Sequence, residues 1–272
     1  MTELNSRLRP AFFLLVIFNT LTINFIPSHA LALLSLSQGK ALPSKTIEVA
    51  DYKPPKGIGT PETVGGGTRG GKCEQDEKSA VPLLTALMPD LIPDTAEFGV
   101  TVSESPQFFV YLPETSARKA EFVLKDENEK DLYRSEDIPI SGQSSIVSVS
   151  LPKEQIKLEP GKNYHWYFSV ICNPDNRRKD IFVEGWTQHT EMSLEVASQI
   201  QKAAPQERAK LYAEAGIWHE AVATLAELRR ETPDDPALAQ EWQTLLESAG
   251  LKQMAELSVD LPFTMTVLES SP

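Results

Sequence analysis

The fold is decided by the stretch LEPGKNYHWYFSVIC, residues 158–172. Pro160 and Gly161 supply a turn, and the residues after them alternate with the period of two that is typical of a β-strand. Both faces of this strand carry bulky side chains, which indicates a central strand that is covered on its two sides. One face is formed by Tyr164, Trp166, Phe168 and Val170, and the other by His165, Tyr167, Ser169 and Ile171.

Six further strands are predicted around this one, each short and bounded by turn residues. SIVSVSL alternates apolar and polar side chains, and EFVLKDENEKDLY forms a hairpin around a polar turn. Seven short strands at this spacing are typical of a β-sandwich, which we place at residues 73–188. The other six strands are predicted at 98–104, 107–112, 120–125, 130–134, 144–151 and 180–187.

The turn and the tyrosine after it resemble the tyrosine corner of immunoglobulin and fibronectin type III domains. In those domains a turn leads into a strand whose tyrosine hydroxyl bonds back to the backbone a few residues upstream. The resemblance implies an immunoglobulin/fibronectin-like β-sandwich, with Tyr164 as the corner tyrosine.

From residue 191 onward the apolar period changes from two to three and four, which predicts helices. The stretch LYAEAGIWHEAVATLAELRRETPDD, residues 211–235, resembles one tetratricopeptide repeat, a pair of packed helices. We find no second copy in the chain, so a helix at 236–249 is expected to cap a single unit. The resemblance is carried by Tyr212, Gly216, Trp218, Glu220, Ala221, Leu225, Leu228 and Pro233.

The fold class is therefore α+β, an immunoglobulin/fibronectin-like β-sandwich followed by a small tetratricopeptide-like helical module at 191–250. The tail at 251–272 contains FTMTVLE, a candidate edge strand or docked segment. A lone repeat cannot bury both of its faces, so the sandwich, a second copy or a partner must cover the remaining one. If nothing in this chain covers it, we expect an interaction surface formed by Tyr212, Trp218, His219, Arg229, Arg230 and Trp242.

The N-terminus predicts export. Two arginines precede an apolar stretch at 11–26, and small residues follow, which is the pattern of a signal peptide over 1–32. An uncleaved membrane anchor is the alternative. No second apolar span follows, so we expect no membrane span in the mature chain and a periplasmic or extracellular location. Residues 33–72 are rich in Pro, Gly, Ser and Lys, which predicts a disordered linker.

The two cysteines, Cys73 and Cys172, are predicted to form a disulfide, because an exported chain meets an oxidising compartment. Two unpaired buried thiols are the alternative. A metal site is not supported, because no Cys or His lies two to four residues from either cysteine.

Charge and motifs argue against several classes of activity. The net charge of −12 repels a nucleic-acid backbone. Residues 66–72 match a nucleotide-binding loop, but the strand and helix that position a phosphate are missing, so no cofactor is expected. The histidines occur singly, with His219 placed on a surface turn, and no nucleophile motif is present, so we do not expect an enzyme.

The region from about 66 to 251 is similar to a cyanobacterial family of exported proteins that is known only as a domain of unknown function. The similarity is carried by GGGTRGGKC, LTALMPD, FFVYLP, AEFVLKDE, YHWYFSVIC, VEGW, AGIWHEAVATLAELRR and WQTLLESAGL. It implies a sandwich with a helical module, export, and an association with periplasmic sensory or secretion systems.

Two functions remain. The first is a non-enzymatic protein-interaction module of the cell envelope that docks a protein partner on its helical unit. The alternative is an extracellular carbohydrate- or polymer-binding protein that uses aromatic residues such as Trp186 and Tyr133. Exposed, coplanar aromatic rings would favour the alternative, and an uncovered apolar patch on the helical unit would favour the first.

Overall fold

Strands make up the first part of the described chain, and helices make up most of the rest. The computed structural model describes five ranges, which are residues 51–55, 71–76, 82–91, 97–258 and 261–268. The predicted signal peptide at 1–32 and most of the predicted linker at 33–72 lie outside them. The strands within these ranges are β1 (Thr85–Ala86), β2 (Phe98–Thr101), β3 (Gln107–Leu112), β4 (Lys119–Asp126), β5 (Asp131–Pro139), β6 (Ser145–Ser150), β7 (Asn163–Val170), β8 (Ile181–His189) and β9 (Phe263–Val267). The helices are α1 (Leu194–Lys202), α2 (Pro205–Glu214), α3 (Trp218–Glu231), α4 (Pro236–Ser248) and α5 (Lys252–Leu257).

The strands form two mixed sheets. Sheet A has the strand order β1-β3-β6-β9, and sheet B has the order β2-β8-β7-β4-β5. Neighbouring strands are antiparallel except in two pairs, β2 with β8 and β6 with β9, which are parallel. The sheets meet through aromatic rings, since the Phe108 centroid on β3 lies 5.1 Å from that of Phe122 and 5.3 Å from that of Trp166. The chain is therefore α+β, with a core between its two sheets.

The deciding stretch forms β7, the middle strand of sheet B, as its two bulky faces predict. Trp166 on this strand is fully buried. The Tyr164 hydroxyl accepts a hydrogen bond at 2.8 Å from the backbone N–H of Glu159, so the expected bond between tyrosine and turn is present. All seven predicted strands are found, and β5 runs further than predicted, to Pro139.

Cys73 and Cys172 form a disulfide, with their Cα atoms 5.3 Å apart. The segment around Cys73 is also held by hydrogen bonds. The Asp76 carboxylate accepts from the Thr115 hydroxyl at 2.7 Å and from the Ser116 backbone N–H at 2.8 Å. Residues 73–76 are thereby fixed to the segment that follows β7 and to the loop before β4.

The helices form two hairpins with the same turn, whereas the sequence predicted a single hairpin with a cap. Gly216 joins α2 to α3 and Gly250 joins α4 to α5; they lie 34 residues apart and have φ angles of 75° and 84°. In each turn the residue after the glycine donates its N–H to the carbonyl five residues earlier, at 2.9 Å. The helix expected at 236–249 packs on α3, and it also forms a hairpin with α5 that the sequence did not predict. The second copy keeps the Leu-x-x-x-Ala-Gly turn but has Leu246 and Lys252 where the first has a tyrosine and a tryptophan.

Both turn glycines lie against another segment of the chain. A Cβ at Gly216 would lie 2.7 Å from the carbonyl oxygen of Lys53, and one at Gly250 would lie 2.2 Å from that of Asp90. The backbone N–H of each crossing residue also donates to a carbonyl near the end of the preceding helix, at 3.1 Å and 2.8 Å. Residues 51–55, although they fall in the predicted linker, therefore pack on the helices.

We expect Gly250→Ala to lower the free energy of unfolding by more than Gly161→Ala. Both glycines have left-handed backbone angles, in which a Cβ costs about 1–2 kcal/mol. At Gly250 the Cβ would also collide with the Asp90 carbonyl, whereas nothing lies within 4 Å of a Cβ at Gly161. Urea unfolding of the two variants measures the difference, and equal losses would contradict the close packing of Asp90 on this turn.

Candidate functional site

The start of α3 attaches the helical hairpins to the sheets. Trp218 is buried, and its indole N–H donates to the carbonyl of Leu87 at 2.9 Å. Its ring lies edge-to-face against Tyr52, with the centroids 5.0 Å apart. A buried indole needs a partner for its N–H, and Leu87 supplies one. This tryptophan, which the sequence predicted for an interaction surface, is therefore part of the core.

His219 closes one end of the space between the sheets. Its Nδ1 lies 3.0 Å from the Gln107 carbonyl oxygen on β3, and its Nε2 lies 3.0 Å from Oγ1 of Thr187 on β8. Because a carbonyl can only accept, Nδ1 carries the proton and Nε2 accepts from the threonine hydroxyl. Burial lowers the pKa of His219 to about 4, so the ring is neutral at pH 7. The prediction that His219 lies on a surface turn is wrong, because α3 begins between the sheets.

Glu220 connects α3 by hydrogen bonds to the last residue of β2 and to the two residues after it. Its carboxylate accepts from the Thr101 hydroxyl at 2.6 Å, and from the backbone N–H groups of Ser103 at 3.1 Å and Val102 at 3.3 Å. Burial raises the pKa of Glu220, and these hydrogen bonds offset part of that effect because they favour the charged form. We call residues 218–220 the α3 junction.

The buried histidine of the junction makes stability depend on pH. The folded-state pKa of His219 lies below its ordinary value of 6.5. The unfolded chain therefore takes up the proton first, and stability is complete above pH 6.5 and falls as the pH drops toward 4. The loss amounts to about 3 kcal/mol across this window. Glu220 acts in the opposite sense, since its raised pKa favours the folded state on protonation.

The variant His219→Gln separates the contribution of His219 to the pH dependence from that of Glu220, because it removes the first and keeps the second. Urea unfolding at several pH values between 7 and 4 should show that the wild-type chain loses more stability than the variant over this range. Parallel pH profiles for the two proteins would contradict a neutral, buried His219.

Arg229 and Trp242, two further residues of the predicted interaction surface, are buried beneath the C-terminal strand. The Arg229 guanidinium lies 5.5 Å from the centroid of the Trp242 ring and 5.3 Å from that of Phe263 on β9. The Trp242 indole N–H donates to Oγ of Ser258 at 2.7 Å. Helices α3 and α4 are thus covered here by β9 and by Ser258.

Only two of the six residues predicted for that surface reach solvent. Tyr212 is half-buried, and Arg230 is exposed and forms an ion pair with Glu227. The other four are covered by the sheets, by residues 51–55 or by β9, and the structure does not gather the six into one exposed patch. Periodicity identifies the apolar face of a helix, but it does not show which element packs on that face.

The aromatic residues considered for a sugar site offer no free ring face. Tyr133 is buried in the core. Trp186 lies on the outer face of sheet B, where its ring stacks on His165 with 4.2 Å between centroids and 14° between planes. Phe98 and Val100 pack with it there. A sugar ring needs an open aromatic face to stack on, and Trp186 is buried with its ring stacked on His165.

His165 belongs to a polar cluster that sequence patterns did not indicate. Its Nδ1 lies 2.7 Å from a carboxylate oxygen of Glu129, and its Nε2 lies 3.3 Å from one of Glu184. The Tyr167 hydroxyl lies 3.0 Å from Nδ1, and burial together with the two glutamates raises the pKa of this tyrosine. Within the described ranges, no three His, Cys, Asp or Glu side chains are arranged to hold a metal ion. The cluster members bond to one another, which is typical of a structural role.

Four strands form the edges of the two sheets in the part of the chain that the structure describes, and three of these edges are protected. β1 has only two residues. The α3 junction packs against β2, and Glu220 bonds to the end of that strand. β5 carries charged side chains, which disfavour pairing with another strand. These are Asp131, Arg134, Glu136 and Asp137.

β9 is the fourth edge, and none of the described strands covers it. Its sequence, FTMTV, contains no charged residue. It pairs with β6 on one side, and no other described strand pairs with it on the opposite side. Met265 is 41% exposed and Val267 is 67% exposed, while Phe263 is held against Trp242 with ring centroids 5.2 Å apart. We call the free side of this strand the β9 edge.

The sequence predicted FTMTVLE as an edge strand or a docked segment, and the structure makes it both. The strand extends sheet A, and its first residue packs on α4. Its partner strand could not be predicted, because β6 lies more than 100 residues earlier in the chain.

Fold and site together define an α+β protein in which two mixed sheets are followed by helices, with one sheet edge left open among the described strands. The chain belongs to the DUF928 family, a Domain of Unknown Function, whose profile matches residues 64–259. The matched range includes both cysteines and all five described helices, and it ends before β9. No curated protein matches the chain. None of the helices in the described ranges is long and apolar enough to cross a membrane.

Proposed function

We propose that this chain is an exported, non-catalytic protein-interaction module of the cell envelope, and that it binds a protein through the β9 edge. The observation that carries the proposal is an uncharged, exposed strand whose outer side is free of other described strands. An open edge presents a row of backbone N–H and C=O groups that an extended protein segment can pair with.

The disulfide supports export. Disulfides persist in oxidising compartments such as the periplasm and the extracellular space, and they are rare in the cytosol. The bond between Cys73 and Cys172 agrees with the signal peptide that residues 1–32 predict. A role as an accessory to a periplasmic sensory or secretion system is part of the proposal, and it rests on the family resemblance alone.

The architecture supports a scaffold that presents a rigid edge. Immunoglobulin-like domains also pack two sheets with a tyrosine corner, and tetratricopeptide repeats also recur every 34 residues. In this chain both parts support β9, since β6 bonds to it on one side and Trp242 packs on its first residue. A strand fixed in this way loses little conformational entropy when a partner pairs with it.

The chemistry of the edge defines the kind of segment that fits. Side chains of opposed strands lie about 5 Å apart, so the segment must match each β9 residue with a compatible one. The strand offers two threonines and three apolar residues. A partner segment of alternating apolar and small polar residues, without charge, is the best match.

A crosslinking pull-down from envelope extract tests the proposal. Val267→Lys places a charge on the edge, and Leu194→Lys is the matched control, because Leu194 is 90% exposed on α1. We expect the wild-type chain and Leu194→Lys to capture the same protein, and Val267→Lys to lose it. Capture that is equal for all three chains, or recovery of polysaccharide instead of protein, would overturn the proposal.

A further inference from the structure

We infer that the protein bound at the β9 edge is a second copy of this chain, with the two β9 strands paired antiparallel about Met265. The inference rests on the proposed function, because it uses the same edge. It adds the identity of the partner and the register of the contact.

The strand is close to symmetric about its central residue. In FTMTV, Met265 is flanked by a threonine on each side and then by a large apolar residue at each end. Antiparallel pairing about the centre places Met265 opposite its own copy and each threonine opposite a threonine. It also places Phe263 opposite Val267 of the second copy. The pairing is reciprocal, as an isologous contact requires. Every pair also joins side chains of the same kind, polar with polar and apolar with apolar.

Charge also permits this contact. The chain carries a net charge of −12, so most surfaces of two copies repel each other when they meet. The β9 strand carries no charge, and it can be brought against itself without opposing like charges. The edge of β5 behaves in the opposite way, since Asp131, Glu136 and Asp137 would face a copy of the same acidic strand.

The contact closes on itself. When two β9 strands pair, the backbone N–H and C=O groups on their outer sides bond to each other. Sheet A then continues from one copy into the other. The far edge of sheet A is β1, which has two residues and offers little to a third copy. A twofold dimer is therefore expected, and not an open chain of copies.

The dimer is expected to be reversible. β9 is short, with five residues. An interface of this length buries less than about 1,000 Å², the size expected of a stable complex. Self-association should therefore depend on concentration in the micromolar range or above.

Analytical ultracentrifugation of the purified chain over a concentration series tests the inference. Because Met265 faces itself in this register, Met265→Lys opposes two lysines and Met265→Glu opposes two glutamates. We expect each variant alone to dimerise about tenfold more weakly than the wild type, or worse. An equal mixture of the two variants should regain dimer, because lysine then faces glutamate. Leu194→Lys should dimerise as the wild type does.

The outcomes separate this inference from the proposed function. A wild-type chain that stays monomeric up to several hundred micromolar overturns the self-pairing, and so does a dimer that is insensitive to changes at Met265 or a mixture that regains nothing. In those cases the proposed function stands if Val267→Lys still loses a different envelope protein in the pull-down. The proposed function is overturned as well if Val267→Lys captures envelope protein as the wild-type chain does. Unfolding curves of the Met265 variants, whose side chain is partly exposed, should match the wild type and show that folding is intact.

Discussion

Loss of the Cys73–Cys172 disulfide is expected to lower the free energy of unfolding by about 4–5 kcal/mol if loop-closure entropy sets the effect. The bond joins residues 99 apart, so its removal releases a long loop in the unfolded chain. The folded chain loses less, because the Asp76 carboxylate still bonds to Thr115 and Ser116. The reduced protein should therefore fold, with a lower stability.

Urea unfolding with and without a reductant measures this effect. The double variant Cys73→Ser, Cys172→Ser is the control, since its unfolding curve should not respond to the reductant. It should also coincide with that of the reduced wild-type chain. Identical curves for the oxidised and reduced wild type would contradict a disulfide that closes this loop.

Trp218→Ala is expected to lower the free energy of unfolding by about 3–5 kcal/mol, as for other buried tryptophans. The ring is buried where α3 meets the sheets, and its removal leaves a cavity beside Tyr52. It also leaves the Leu87 carbonyl without the indole N–H that it accepts from. Both effects act at the contact between the helices and the sheets, so the loss should extend to the whole fold in one transition.

Two further variants separate these contributions. Trp218→Phe keeps a ring in the space but loses the hydrogen bond, and we expect a loss of about 1–3 kcal/mol. Tyr212→Ala changes a half-buried aromatic on the same hairpin, and it should cost less than Trp218→Ala. A Trp218→Ala chain as stable as wild type, or one whose helices unfold in a separate step, would contradict an integrated helical unit.

The strands were predictable because each carries its own signal. The alternation from 163 to 170 indicated a strand with two bulky faces, and all four residues of the face that begins with Tyr164 are buried. Pro160 with Gly161 marked the turn before them. The sequence did not show which of these strands pair with each other. β2 lies parallel to β8 across more than 80 residues of sequence, and local patterns carry no information on such contacts.

The helical unit shows where sequence patterns stop being informative. Trp218 and Glu220 match positions of a tetratricopeptide repeat, and a repeat motif alone does not reveal that they bond to Leu87 and Thr101. The second hairpin was missed because it shares the Leu-x-x-x-Ala-Gly turn with the first but has Leu246 and Lys252 in place of the aromatic residues. Repeats that retain only backbone requirements are hard to recognise from side-chain identities.

For the candidate site too, sequence patterns did not show which elements pack on the helices. The sequence left open whether the sandwich, a second copy or a partner covers the helical face. The structure covers it with the sheets, residues 51–55 and β9. Among the described strands, none pairs with the outer side of this covering strand. The sequence offered FTMTV as part of an edge strand or a docked segment, and its composition alone does not show which of its side chains stay exposed.

The central claim is that a protein binds at the β9 edge, and position-specific photo-crosslinking tests it most directly. A photo-reactive amino acid is placed at position 265 in one chain and at position 194, on α1, in a second chain. Both side chains are exposed. Crosslinking in intact cells and mass spectrometry of the adducts then identify what lies against each position. We predict protein adducts at 265, with peptides that include β9 of another copy, and few or none at 194. Adducts at 194 with none at 265 would contradict the claim.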